Sequence, residues 1–288
     1  MHAPQEFHYR LPGRVRGHRP GSHPGLTIGA GQDFVSHMSL YDRPDPRRLD
    51  LRASLRSLRS DWLVRVSRQR AGVSVRAIVD VSESMSFAGG SKLQIVSDFL
   101  ESLGLSAFRT GDAVGMLAFD SRERPELCVP PRVGRGVGSN LRERLRQFTA
   151  AGGTVRASAA RGLESAAMQL AGREGLIFIV SDFHWPLERL PAALDLLAHS
   201  AVVPLVVWDR AEIDPPAADG FAMLRDAESG SQRTLWLRPR LRARWREAVA
   251  GRREQLERIF AAAAVRPLYL QGAFEAELLS KYFLASGP

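Results

Sequence analysis

The sequence has 288 residues, 44% of them hydrophobic and 25% charged, a composition typical of a globular protein with one large domain or two small ones. Its single cysteine, Cys128, excludes an internal disulfide and a cysteine-based zinc site. No stretch reaches the roughly 18 apolar residues of a membrane span. The N-terminus also lacks the apolar segment of a secretory signal, so we expect a cytoplasmic protein.

The net charge of +9 arises from 40 Lys and Arg against 31 Asp and Glu, and Lys92 and Lys281 are the only lysines. Such a charge favours contact with nucleic acid, anionic lipid or an acidic protein. The basic residues are spread along the chain, and few aromatic residues alternate with them. We therefore interpret the charge as a property of the general surface and do not expect nucleic acid as the partner.

Along the chain, residues 1–40 are rich in Pro, Gly, His and Arg and predict an extended or partly ordered arm. Residues 41–72 combine a turn, a short helix and a strand near 62–66. A regular pattern follows, with strands predicted at 73–82, 112–120, 176–183, 201–209 and 266–270. Helices are predicted at 91–108, 137–150, 157–172, 186–200, 242–265 and 274–284, with a hairpin at 221–238.

This alternation indicates the fold class. Strands and helices of these lengths imply right-handed crossovers and a mostly parallel sheet with helices on both faces, a doubly wound α/β fold. An arm that is irregular or contains β-strands precedes it. We divide the chain into an N-terminal segment, 1–72, and an α/β domain, 73–288.

The candidate site lies where the predicted strands end, because sites in open parallel sheets form at the carboxyl ends of strands. Asp80 ends the first strand of the domain, and in an extended chain Ser82 and Ser84 would share its side. Asp182 ends the strand at 176–183 and would lie at the same edge. A glycine loop before it would bring the Thr154 hydroxyl inward.

Two carboxylates and three hydroxyls are hard oxygen ligands, which suit Mg²⁺ and also Mn²⁺ or Ca²⁺ rather than Zn²⁺ or copper. A partner carboxylate could then replace a water on the ion. The role given to Thr154 is also open to Thr149 or Ser158. These Asp, Ser and Thr residues could instead cap helices and loops, which is common for these types.

The segment Asp80–Ser84, DVSES, resembles the DxSxS pattern of the metal-ion-dependent adhesion site in von Willebrand factor A domains. In that family the first Asp, both Ser, a Thr from a second loop and an Asp from a third surround the ion. The resemblance therefore implies the metal ligands Asp80, Ser82, Ser84, Thr154 and Asp182. Residues beside them would form a rim for partner contacts, namely Glu83, His184 and Trp185, although Trp185 could equally pack beneath the loop.

Over roughly residues 33–288 the chain resembles a bacterial von Willebrand A-like group called domain of unknown function 58. The features that carry this resemblance are the segments 41–54, 61–70, 80–85, 111–119 and 180–183, together with Lys92. Members of that group are associated with MoxR-type AAA+ ATPases in chaperone-like assembly. The resemblance thus implies an adaptor role with such an ATPase as the partner. The chain departs from the group at Leu51, where Trp is usual.

Catalysis is the main alternative to binding. A strand that ends in Asp near a second Asp is similar to Mg²⁺-dependent phosphatases of the haloacid dehalogenase type, which need another Asp two residues after the nucleophile. Ser82 occupies that position here. The sequence contains no P-loop, no Ser-His-Asp nucleophile elbow and no dinucleotide glycine fingerprint. We therefore expect a binding module and not an enzyme, with a phosphatase-like enzyme or a basic nucleic-acid binder as alternatives.

Overall fold

The computed structural model describes residues 4–17, 19–29, 31–58, 61–152, 159–216, 220–225 and 232–285. The N-terminal part of these ranges forms a three-stranded antiparallel sheet from β1 (Pro20–Gly29), β2 (Asp33–Ser39) and β3 (Leu63–Ala71). Strand β3 lies in the middle of this sheet, between β1 and β2. The N-terminal arm thus contains β-strands.

The remaining strands are β4 (Ser74–Asp80), β5 (Ala113–Phe119), β6 (Val129–Arg132), β7 (Leu176–Ser181), β8 (Ala201–Trp208), β9 (Gly220–Arg225), β10 (Gln232–Leu237) and β11 (Leu268–Gln271). Six of them form the central sheet in the spatial order β11-β8-β7-β4-β5-β6, and β9 and β10 form a separate hairpin. All neighbours in the central sheet are parallel except β6, which runs antiparallel to β5. The predicted turn of the hairpin, 228–231, lies outside the described residues.

The helices are α1 (Leu51–Leu55), α2 (Phe87–Thr110), α3 (Val137–Ala150), α4 (Ala160–Leu170), α5 (Leu190–Leu196), α6 (Arg210–Ile213), α7 (Pro239–Ala262) and α8 (Ala276–Ala285). None of the helices in the described ranges is both long enough and apolar enough to cross a membrane. In α5, Pro191 lies in the first helical turn, where its missing N–H leaves no hydrogen bond unmade. The helix predicted at 186–200 therefore starts late, at Leu190, and it ends at Leu196.

The sheet is covered on both faces. One core cluster packs α2, α3 and α8 against the sheet, and the other packs α4, α5 and α7 against the opposite face. Strand β4 shows why: Val79 points into the first cluster and Ile78 into the second, as the two-residue period of a strand requires. The predicted doubly wound α/β fold is confirmed.

The N-terminal segment contributes to this core, which its composition did not indicate. Phe7 is 1% exposed, and its ring lies 6.3 Å from the rings of Phe99 and Phe178. Tyr9 packs beside it at 5.8 Å. An apolar residue inside a Pro- and Arg-rich stretch carries no periodic signal, so only the packing of the folded chain identifies it as core.

Candidate metal centre

Asp80 ends β4 at the carboxyl edge of the central sheet and is fully buried. Its Oδ1 accepts a hydrogen bond from the Ser82 backbone N–H at 2.9 Å. Its Oδ2 accepts one from the Ser181 hydroxyl at 2.6 Å and one from the Trp185 indole N–H at 3.1 Å. These donors come from the end of β7 and the loop after it, so two neighbouring strands fix the position of the carboxylate.

The two serines after Asp80 also lie at this edge, although not through an extended chain. Strand β4 stops at Asp80, and Glu83–Ser86 forms a 3-10 helix. The expected extended geometry is therefore wrong, since the chain turns to enter α2. The turn nevertheless brings the buried hydroxyls of Ser82 and Ser84 to 3.1 Å from each other.

Asp182 follows β7 at the same edge and is also fully buried. Its Oδ1 accepts from the His184 backbone N–H at 3.1 Å. Its Oδ2 accepts from the Lys92 ammonium at 2.7 Å, and Lys92 also donates to Glu212 at 2.7 Å. Burial alone would raise the pKa of Asp182, but the charges of Lys92 and His184, together with the hydrogen bonds from the Lys92 ammonium and the His184 N–H, hold that pKa below its usual range.

Asp80 differs from Asp182 in its electrostatic surroundings. Among the residues that the structure describes, no cationic side chain forms an ion pair with Asp80. Burial, followed by the charge of Asp182, raises the pKa of Asp80 to about 6. A buried carboxylate is costly to ionise without a compensating charge. The arrangement therefore favours a cation beside Asp80.

Residues of α7 contact and stabilise the loop that carries Asp182. Phe183 has a backbone φ of +52°, the left-handed region that bulky residues rarely adopt. Its ring is buried, and its carbonyl accepts from the Arg252 Nε at 3.1 Å. Arg252 also donates to the Trp185 carbonyl. Packing and these hydrogen bonds together stabilise a backbone shape that the local sequence would not adopt by itself.

The three predicted rim residues lie at different depths. His184 is exposed, with 37% of its side chain accessible, and Glu83 is half-buried. Trp185 is only 1% exposed, and its indole donates to Asp80, so it lies beneath the loop and not at the mouth. This corrects its assignment to the rim: the Trp185 indole N–H donates to the Asp80 carboxylate in the interior.

The predicted threonine ligand, Thr154, lies outside the described residues, as does the alternative Ser158, so both assignments remain predictions. The other alternative, Thr149, is half-buried on α3 and donates its hydroxyl to the Arg146 carbonyl at 2.9 Å. That hydroxyl is therefore engaged within its own helix.

The described residues fit a hard divalent cation. Asp80, Asp182 and the partly buried Glu212 are three carboxylates against the one ammonium of Lys92, which leaves a formal charge of −2 in this cluster. The hydroxyls of Ser82 and Ser84 add neutral oxygen ligands. Oxygen-only sites of this kind suit Mg²⁺, Mn²⁺ or Ca²⁺.

A second group of possible ligands overlaps this cluster. Asp182, His184 and Glu212 offer ligand atoms that all lie within 4.8 Å of one another. The Lys92 ammonium already bridges both of these carboxylates, so an ion there would compete with a positive charge. Asp80 and the serine hydroxyls therefore offer the better place for the ion.

Sequence reasoning missed several residues of this centre. Glu212 belongs to α6, where it forms a capping box with Asp209, and the Asp-x-x-Glu spacing after a predicted strand could have revealed it. Ser181 could have been found as a hydroxyl at the end of a buried strand beside β4. The long-range bonds of Lys92 and Arg252 have no local signal.

Comparison with known proteins shows the family of this chain. The family model described as "Protein of unknown function DUF58" matches residues 43–255. The chain belongs to the DUF58 family. The match includes Asp80, Ser82, Ser84 and Asp182, and it confirms the resemblance to domain of unknown function 58.

The DUF58 chain is similar to the uncharacterized protein Rv1480 of Mycobacterium tuberculosis, at 24% identity over 238 residues, which cover 83% of this chain and 74% of that protein. Among solved structures it is similar to BatB of Bacteroides thetaiotaomicron, at 16% identity and a TM-score of 0.46, covering 73% of this chain and 98% of that one. It is also similar to a von Willebrand factor type A protein of Catenulispora acidiphila, at 10% identity and a TM-score of 0.42, covering 77% and 43%.

Proposed function

We propose that this chain is a metal-dependent protein-interaction module and not an enzyme. A divalent cation, Mg²⁺ in our proposal, binds beside Asp80 with the hydroxyls of Ser82 and Ser84 and the carboxylate of Asp182, and Thr154 completes the set. The ion binds an Asp or Glu of a partner protein. The resemblance to von Willebrand A-like proteins associated with AAA+ ATPases makes a MoxR-type ATPase our proposed partner.

One observation supports this proposal above the others: the carboxylates of Asp80, Asp182 and the partly buried Glu212 exceed the one ammonium of Lys92 and leave a formal charge of −2. A divalent ion would cancel that charge. Mg²⁺ takes six oxygen ligands and keeps water where the protein supplies too few. A replaceable water is the position that a partner carboxylate would take.

The test is isothermal titration calorimetry of the metal-stripped protein with MgCl₂ and MnCl₂. We expect saturable binding to one site in the wild type and none in Asp80→Ala. Asp195→Ala, a change at an exposed aspartate of α5, is the matched control and should bind as the wild type does. Absence of binding in the wild type, or equal binding in Asp80→Ala, would contradict the proposal.

A further inference from the structure

A pocket of about 240 Å³ opens beside the candidate metal centre, between the end of β8, α6 and α7. It is lined by Trp208, Ile213, Trp245 and Val249, and also by His184 and Glu212. Pockets that bind cofactors or drug-sized molecules measure about 300–1,000 Å³. This pocket is smaller, and its size suits a single side chain.

The polar groups of the pocket already have partners within the chain. The Trp208 indole N–H donates to the Asp182 carbonyl at 2.8 Å. The Trp245 indole N–H donates to the Glu212 carbonyl at 2.7 Å. Arg252, which also lines the pocket, donates to the carbonyls of Phe183 and Trp185. What the pocket offers to a ligand is therefore the faces and edges of aromatic and aliphatic groups, which favour an apolar side chain.

The pocket and the metal centre share a wall. His184 and Glu212 line the pocket, and their ligand atoms lie within 4.8 Å of the Asp182 carboxylate. A peptide that places a carboxylate on the ion therefore passes the mouth of the pocket. At about 3.3 Å per extended residue, the side chain that enters would lie on the order of one to three residues from the acidic one.

The charge around the pocket indicates what else this peptide carries. The stretch 238–246, which leads into the pocket wall at Trp245, contains five arginines and no acidic residue. Arg238, Arg240 and Arg244 are exposed. Surfaces of this charge attract acidic partners and repel basic ones.

We propose that the pocket binds one apolar side chain of an acidic segment in the partner protein, while a Glu or Asp a few residues away in the same segment binds the ion. This inference rests on the proposed function, since the ion fixes the acidic residue. It adds a rule for recognition: the ion binds an acidic residue of the partner, and the pocket binds an apolar residue at a fixed distance along the same segment.

The experiment uses an array of seven-residue peptides with a central Glu or Gln in a Ser-Gly background. One of the 20 amino acids is placed at one of the other six positions in turn. The full chain, labelled with a fluorophore, is applied in MgCl₂ or in EDTA. The pocket variants are Trp245→Ala, which removes a wall, and Ala248→Phe, which fills the pocket from an exposed wall position. Trp236→Ala, at an exposed tryptophan of the hairpin, is the matched control.

We expect wild-type protein to need the central Glu and Mg²⁺, and to prefer Leu, Ile, Met or Phe at one offset by about tenfold over Ser. Both pocket variants should lose that preference while they keep the need for Glu and Mg²⁺, and Trp236→Ala should behave as the wild type. No offset preference in the wild type, or a preference that survives in both pocket variants, overturns the pocket proposal alone. Equal binding of Glu and Gln peptides, or binding in EDTA, overturns the proposed function and with it the paired recognition.

Discussion

At the scale of single residues, the centre depends on one buried lysine. Lys92 is 0% exposed and donates to both Asp182 and Glu212 at 2.7 Å. Burial lowers the pKa of Lys92, but the two carboxylates outweigh burial and hold it above its usual range. The ammonium is therefore charged, and it acts as a fixed cation beside the position that we assign to the metal.

Replacing Lys92 by Met should lower the free energy of unfolding by about 3–5 kcal/mol, because breaking a buried ion pair leaves uncompensated charge. Mn²⁺ should restore part of the lost stability, since the freed Asp182 and Glu212 can then bind it. Thermal unfolding in EDTA and in MnCl₂ measures both effects.

The matched control for this change is Lys281→Met, at the other lysine, which pairs with Glu277 on the surface of α8. It should have no measurable effect on unfolding, as is usual for exposed ion pairs. Equal losses in the two variants, or a Lys92→Met protein that does not respond to Mn²⁺, would argue against a charge-compensating role.

At the scale of elements, the loop after β7 is stabilised by a helix that is distant in sequence. Arg252 of α7 donates to the carbonyls of Phe183 and Trp185, which flank the exposed His184. Phe183 has an unfavourable backbone conformation, so the loop needs these hydrogen bonds to keep its shape. The position of Asp182 therefore depends on them.

The variant Arg252→Ala should therefore weaken Mn²⁺ binding by about tenfold, the lower end of the effects seen when a residue that orients a metal ligand is removed. The expected loss of unfolding free energy is about 1.5–3 kcal/mol, the range for hydrogen bonds to a charged group. Calorimetry measures the Mn²⁺ affinity, and urea unfolding measures the free energy of unfolding. Arg258→Ala, at an exposed arginine of the same helix, should change neither of them, and an unchanged affinity in Arg252→Ala would refute the role.

A second element-scale feature joins α2, β3 and β4 at the opposite edge of the sheet. Asp112 accepts hydrogen bonds from the Val73 N–H at 2.7 Å, from the Thr110 hydroxyl at 2.7 Å, and from the side chains of Tyr9 and His23. Burial alone would raise the pKa of Asp112, but the bonds from His23, Tyr9 and Val73 lower it below its ordinary value.

A lowered pKa in the folded state means that Asp112 stabilises the protein above its ordinary pKa, and that this contribution is lost as the pH falls through the folded value. Asp112→Asn should therefore be less stable than the wild type at pH 7, and the difference in unfolding free energy between the two proteins should be smaller at pH 3. Urea unfolding at both pH values measures it. Asp195→Asn, at an exposed position, should match the wild type in unfolding free energy at both pH values. If Asp112→Asn differs from the wild type by the same amount at pH 7 and pH 3, the stabilising role of the Asp112 carboxylate is contradicted.

At the scale of the whole molecule, the N-terminal segment and the α/β domain share one core. Phe7 contacts aromatic rings on α2, β7 and the C-terminal segment at Phe274. Tyr9 contacts Phe283 of α8 at 6.0 Å. Phe7 and Tyr9 thus close the face of the sheet that α2, α3 and α8 cover.

Phe7→Ala should lower the free energy of unfolding by about 3–5 kcal/mol, as expected for a fully buried phenylalanine. Chemical denaturation of the full chain measures the loss. Phe108→Ala, at a phenylalanine of α2 that is 42% exposed, should cost much less. Similar losses for the two would mean that the segment packs loosely and that the arm is separate from the core.

The sequence by itself determined the fold class and the location of the centre. Apolar runs such as Leu176–Ser181 and the helices between them specify a parallel sheet, because both faces of such a strand must be buried. The carboxyl ends of parallel strands meet at one edge of the sheet, so the sequence alone predicts that Asp80 and Asp182 lie at the same edge. The division of the chain at residue 72 and the role of Thr154 remain predictions.

Only the tertiary structure decided which residues hold the side chains of that candidate centre in place. The bond from Ser181 to Asp80 spans 101 residues of sequence, and that from Lys92 to Glu212 spans 120. Contacts of this range leave no periodic or spacing signal, since they depend on the order of strands in the sheet and on how α2 and α7 pack against it. The same reason applies to Trp185. The local sequence allowed this side chain to lie either at the rim or in the interior, and the packing beneath the loop places its indole N–H against Asp80.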